Sequence, residues 1–380
     1  MTFQGARLRE AREARGFSVT LLAQGANLAE ISVRRLETGG QRPSAETLVA
    51  LADALRVPVA FFAADSAPLP PMPIFYRSLT SVRKAIGLRM AERRLSWAHR
   101  VISSLCEYVD MPPITLPKFN VPSDPCDLSF EAVDRLANEA RTAFHLGEGA
   151  ISNVGWLLEN HGCVIVRNAL GSDGIDAFSQ YGANGRPLVF LGRHSSSVRH
   201  QFDYAHELGH LLLHRNIDKT HLRDVTLYRL VEDQAHRFAS SFLLPESSFR
   251  RSVGSRTTLN SFLALKSDWL VSVGAMVKRC ETLGLISRDE SRTLWISYLK
   301  RGWKKREPLD DDLTIAPPQM LADAIGALRA ADSTLFRRWV GEICDFVPPW
   351  DVAEITGTPE EWFRPNQIAR PRVGLRLEAM

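Results

Sequence analysis

The chain has 380 residues, of which 45% are apolar and 24% charged, and its formal net charge is +4 at pH 7. This balance belongs to a globular protein of two or three domains and excludes a disordered or fibrous chain. Its cysteines, Cys106, Cys126, Cys163, Cys280 and Cys344, form no C-x-x-C pair, so neither a disulfide framework nor a zinc knuckle is expected. No leader opens the sequence and no apolar run reaches the roughly 18 to 20 residues that cross a bilayer, so the expected location is the cytoplasm, without membrane contact.

Residues 1–64 place Leu8, Leu22, Val33, Leu36, Leu48, Leu51 and Leu55 at helical spacing. Gly16 with Ser18, Gly39-Gly40 and Pro43-Ser44 divide them into a bundle of about five short helices. The succession "LLAQGAN", "ISVRRLETG", "RPSAETLVALADALRVPVAFF" resembles the Xre-type (Cro/repressor-like) helix-turn-helix domain. The resemblance implies a recognition helix over residues 29–37, presenting Glu30, Ser32, Arg34 and Arg35 to base edges in the major groove, with Ser32, Arg34 and Arg35 as the DNA-binding residues. Asn27 stands where the family usually has Gly, and Val19 where Gln is common. The competing reading is a helical domain that binds protein or forms a homodimer.

Residues 65–125 read as linkers around a basic helix. "SAPLPPMPIF" should be extended and stiff. The stretch from Tyr76 to Arg100 sets Arg77, Arg83, Lys84, Arg89, Arg93, Arg94 and Arg100 against Glu92 alone. Such a helix attracts phosphate backbones, packs its Leu, Ile and Trp side on the next domain, or does both. A second Pro-rich connector, "DMPPITLPKFNVPSDPCD", follows.

Residues 126–250 change pattern. Helices are expected at about 129–144 and 150–160, then strands within "GCVIVRN", "DAFSQYG" and "RPLVFLG". They lead into the helix "SSVRHQFDYAHELGHLLLHR", an α+β order. On that helix His206 and His210 are four apart, so both imidazoles can face one ion, while Glu207 is placed to reach a water beside it. A catalytic zinc usually takes three protein ligands. His214 lies two turns, about 12 Å, from His206 and cannot share the ion; a helix-end histidine capping carbonyls is the expected role. "RLVEDQAHRFASSFLLPESSF" forms another amphipathic helix, with Leu230, Phe238 and Phe242 on its buried side. From it Glu232 is the expected third ligand, with His236, one turn on, behind the ligands and orienting them. A carboxylate ligand offsets part of the metal's charge and leaves its water less acidic, so a general base such as Glu207 is then needed.

"VRHQFDYAHELGHLLLHR" with "VEDQAHRFASSFLLP" resembles the ImmA/IrrE family of metallopeptidases over about residues 130–250, with Arg199 and Phe202 at matching distances. His236 stands where the family has Asn or Asp, and Asp203-Tyr204 where Thr is usual. The resemblance implies a gluzincin-like, zinc-dependent endopeptidase, with manganese as the alternative metal. Its substrate would be a DNA-binding repressor, whose cleavage relieves repression of stress, phage or mobile-element genes. The alternative is a DNA-binding transcriptional regulator whose metal domain senses or scaffolds without proteolysis.

Residues 251–380 are again helical. "SFLALKSDWLVSVGAMVKRCETLGLIS" has the rhythm of two helices, and "YLKRGWKKREP" is a basic cluster with an interleaved Trp. These resemble the segment that follows the peptidase in Xre-fused members of the family. Residues 309–380 read as a small helical cap with no functional signal. The expected fold is therefore an α+β multidomain chain: an all-α helix-turn-helix bundle, a zincin-like centre with a small sheet, and a helical C-terminal region.

Overall fold

The computed structural model describes residues 2–64, 82–167, 177–182, 184–192, 196–218, 224–255 and 257–363, with the side chains of 82–85 and 88 left aside. The linker "SAPLPPMPIF" and Arg77 fall outside these residues, as do the side chains of Arg83 and Lys84.

The amino-terminal bundle contains α1 (Gly5–Ala14), α2 (Val19–Gly25), α3 (Glu30–Glu37) and α4 (Ala45–Leu55). Ser18 and Ser44 cap α2 and α4 by accepting from Leu21 N and Thr47 N, satisfying donors that a helix start leaves open. Asn27 adopts φ 53°, so it supplies the left-handed turn for which the family uses Gly. Leu8, Leu22, Val33, Leu36, Leu51 and Leu55 are buried, and Leu48 is half-buried.

Helix α5 (Val82–Leu105) leads by an extended connector to α6 (Phe130–Ala143) and α7 (Val154–Asn160). Strands β1 (Val164–Arg167), β2 (Ala177–Tyr181) and β3 (Pro187–Leu191) form a sheet of order β1-β3-β2, β1 parallel and β2 antiparallel to the central strand. Then come α8 (Ser197–Leu213), α9 (Val225–Leu243), α10 (Glu246–Val253), α11 (Leu259–Trp269), α12 (Val273–Thr282) and α13 (Arg288–Lys300). The chain continues through α14 (Met320–Ala331), α15 (Ser333–Cys344) and α16 (Pro349–Thr356). Among the described residues no helix is long and apolar enough to cross a membrane, and the cysteines are free thiols.

Strand alternation makes the sheet a wall between two cores. Val164, Val166, Phe178, Leu188 and Phe190 face a core shared with the helix-turn-helix bundle, α5 and α14 to α16. Ile165, Ala177, Val189 and Leu191 face a second core built from α6, α8, α9, α11 and α12 and reaching Trp303. Burial therefore runs across residues 64, 125 and 250, where composition shifts in the sequence.

Three arginines of the basic helix α5 reach neighbouring elements, while Arg89 is exposed. Arg93 Nε donates to Glu13 at 2.8 Å; Arg94 Nε donates to the Ala14 carbonyl at 3.1 Å and its Nη1 meets Glu354 at 3.3 Å. Arg100 lies 3.6 Å over the Phe346 ring. Of the two readings of this helix, packing on a neighbouring domain describes these three arginines.

Candidate metal centre

Ser196 caps α8 by accepting from Arg199 N, and the helix is buried along almost its whole length against α9 and the sheet. A buried helix ordinarily presents apolar side chains all round. Here four imidazole or carboxyl groups, His206, Glu207, His210 and His214, are each 1 to 2% exposed. Groups of this kind are normally buried only when paired or holding a metal.

His206 and His210 stack on one face of α8, their Nε2 atoms 3.0 Å apart. Glu232, from α9, places Oε2 3.5 Å from His206 Nε2 and Oε1 3.4 Å from His210 Nε2. Oε1 makes no hydrogen bond at that distance, and His206 Nδ1 is a second buried atom without one. The three ligand atoms converge within 4.8 Å. A tetrahedral zinc with bonds near 2.0 to 2.1 Å needs ligand atoms about 3.3 Å apart, so the donor set, its spacing and its missing hydrogen bonds fit a divalent ion.

The electrostatics agree. Burial pushes the His206 imidazole down to about 3, so its neutral, ligating form prevails. Burial alone would raise the Glu232 carboxyl, but the His206 and His210 imidazoles beside it outweigh burial and hold the group well below the carboxylate range. Glu207 goes the other way: burial raises it to about 7, against the attraction of His210. Its Oε2 has no partner.

Neighbouring elements hold this helix in place. From β2, Ser179 Oγ donates to the Glu207 carbonyl at 3.3 Å and Tyr181 Oη to that of Leu211 at 2.9 Å. Gly209 lets α9 approach, since a Cβ there would lie 3.2 Å from Phe238 Cδ1 and 3.4 Å from Ala235 Cα. His236 lies with its ring 4.5 Å from that of His206 and 5.8 Å from Phe202. Arg199 donates to the carbonyls of Trp303 and Lys304, tying the basic loop after α13 to the start of α8. His214 differs from the expected carbonyl cap: its ring nitrogens meet His210 Nδ1 at 3.0 Å and Gln234 Oε1 at 3.2 Å. Sequence reasoning missed Ser179, Gly209 and Gln234; Gly209 had a signal, a glycine inside a buried helix.

The expected DNA-contacting residues are on α3, away from this centre. Arg34 and Arg35 are exposed and Ser32 is half-buried, with Arg34 3.8 Å from Glu30 one turn back.

A helix-turn-helix bundle joined to a buried His-His-Glu centre defines a metallopeptidase-like regulator. Residues 158–281 match the family model for the IrrE N-terminal-like domain of a peptidase family, and residues 8–62 match the helix-turn-helix model. No curated protein matches the chain. The chain thus carries both domains, the first of a DNA-binding type.

Proposed function

We propose that the protein is a cytoplasmic, zinc-dependent endopeptidase of gluzincin type that cleaves a DNA-binding repressor, relieving repression of stress, phage or mobile-element genes. The observation that carries this reading is the convergence of His206, His210 and Glu232 beside a buried carboxyl, Glu207, that lacks a hydrogen-bond partner at Oε2. His206, His210 and Glu232 would hold the metal, the nitrogen-rich set favouring zinc over manganese. A zinc ion there supplies Lewis acidity, which makes a water nucleophilic near neutral pH and polarises the scissile carbonyl.

Glu207 accepts the proton of the attacking water and returns it to the leaving amine. Burial raises its carboxyl before any metal binds, and a carboxyl in so dry a place can both take up and give back a proton. His236, against the His206 ring, limits that ligand's movement. On the other domain, Ser32, Arg34 and Arg35 contact DNA, which brings the enzyme to the genes its substrate controls.

Incubating the zinc-loaded protein with the repressor encoded beside it should yield two fragments, and omission of zinc or Glu207→Gln should abolish them. A second reading, a DNA-binding regulator whose metal domain only senses or scaffolds, draws support from the core that joins the helix-turn-helix bundle to the sheet. Under that reading Glu207→Gln leaves DNA-dependent regulation intact and no fragments form in any arm.

A further inference from the structure

Behind the metal-facing side of His210 is a chain of buried polar groups that begins at two backbone carbonyls. Gln234 Nε2 donates to Pro125 O and Leu128 O, both at 2.8 Å. The reverse amide orientation would set Gln234 Oε1 against two carbonyl oxygens, so the amide has one satisfiable orientation. Its Oε1 therefore faces His214 Nε2, at 3.2 Å, as an acceptor.

An acceptor at that place requires the hydrogen of His214 to be on Nε2. His214 is 1% exposed and Gln234 fully buried, and a neutral imidazole has one protonated nitrogen, so His214 Nδ1 keeps its lone pair. That lone pair is 3.0 Å from His210 Nδ1. His210 must donate there, and its own lone pair is then on Nε2, the atom facing His206 and Glu232.

We propose that Gln234 and His214 are positioning residues that set the tautomer of His210 through a hydrogen-bond relay, so that Nε2 presents a lone pair to the metal before any metal binds. The inference rests on the reading that His210 ligates through Nε2. No comparable relay supports His206, whose Nδ1 is buried without a hydrogen bond. Outer partners of this kind typically alter metal affinity 10- to 100-fold.

The test uses full-length protein, metal-stripped and labelled with nitrogen-15 in its histidines, whose two-bond proton–nitrogen spectra distinguish the tautomers. The expected result is His210 protonated at Nδ1 and His214 at Nε2. Zinc affinity, measured by chelator competition, should fall 10- to 100-fold in Gln234→Leu, and in the same variant the spectrum should show His210 losing its preference for the proton on Nδ1. His210 protonated at Nε2 in the wild-type spectrum, or unchanged zinc affinity in a folded Gln234→Leu, overturns the relay. If Gln234→Leu does not fold, the wild-type spectrum alone decides. Wild-type protein with the expected tautomers but no zinc affinity supports the relay and removes the metalloenzyme reading instead.

Discussion

Glu207 combines full burial with an unpartnered carboxylate oxygen, a costly state for a residue with no chemical task. Because its assigned task is proton transfer and not ligation, Glu207→Gln should retain stoichiometric zinc while peptide cleavage falls at least about 100-fold. Metal analysis of that variant beside its cleavage rate is the check, and loss of zinc would reassign Glu207 to the ligand set. His206, Glu207 and His210 were legible in the sequence because one helical turn fixes their spacing. Glu232 was legible only as a carboxylate on a second helix, since nothing local sets the distance between two helices. The relay behind His210 was not legible, because its anchors, the Pro125 and Leu128 carbonyls, are 109 and 106 residues from Gln234. A separate prediction concerns His99 on α5, whose Nε2 accepts from Gln180 of β2. Burial lowers it from 6.5 to about 4. The unfolded chain therefore binds the proton more readily between those values. Its contribution is fully present above pH 6.5 and is lost as pH falls toward 4, to a limit of about 3 kcal/mol. Denaturant unfolding across pH 4 to 7 should show a shallower acid loss for His99→Gln than for wild type.

Two helices must come close for the centre to exist, and Gly209 is where they do. Val at that position would need a space that Phe238 and Ala235 already fill, so α9 would move away from α8 and carry Glu232 with it. Gly209→Val is expected to fold with lowered stability and to bind zinc at least about 10-fold more weakly, while Gly209→Ala, which needs a shift of a few tenths of an ångström, should be intermediate. Equal affinity in all three would mean that the α8–α9 spacing does not set the site. At this scale the sequence showed its elements well, since strand alternation and helix periodicity are local. It showed the purpose of α5 poorly, because a row of arginines looks the same whether it meets phosphate or the distant Glu13 and Glu354. The prediction for DNA rests on α3. Replacing Arg34 and Arg35 together by Ala should weaken duplex binding and reduce the dependence of log affinity on log salt by about 2. Titrations at several salt concentrations measure it, and an unchanged slope removes both residues from the interface.

Across the whole molecule, residues from both ends of the chain close one core, with a charged pair joining them. Arg15 at the C-cap of α1 donates to both carboxylate oxygens of Asp351 on α16, at 2.7 and 2.6 Å, and the two side chains are 11% and 4% exposed. Nearby, Arg7 reaches the Phe346 carbonyl and Glu10 accepts from Trp97 of α5. Boundaries drawn on composition could not anticipate this, because residues 336 apart in sequence leave no local signature. Such a pair contributes little beyond an apolar replacement, yet removing Asp351 leaves Arg15 only the Leu55 and Arg56 carbonyls, at a cost below the roughly 3 to 5 kcal/mol of a fully buried pair. Asp351→Ala should thus destabilise the helix-turn-helix bundle directly, although the substitution is far from it in the chain. Hydrogen exchange should show α1, α4 and α16 losing protection together, with the metal centre behind the sheet affected less. The double variant Arg15→Ala with Asp351→Ala should be less destabilised than the two single effects added, since neither charge is then left alone. Additive effects, or an amino-terminal bundle that melts separately in the wild-type protein, would show the two ends of the chain to be independent and remove the route by which DNA binding could bear on the helix that carries His206 and His210.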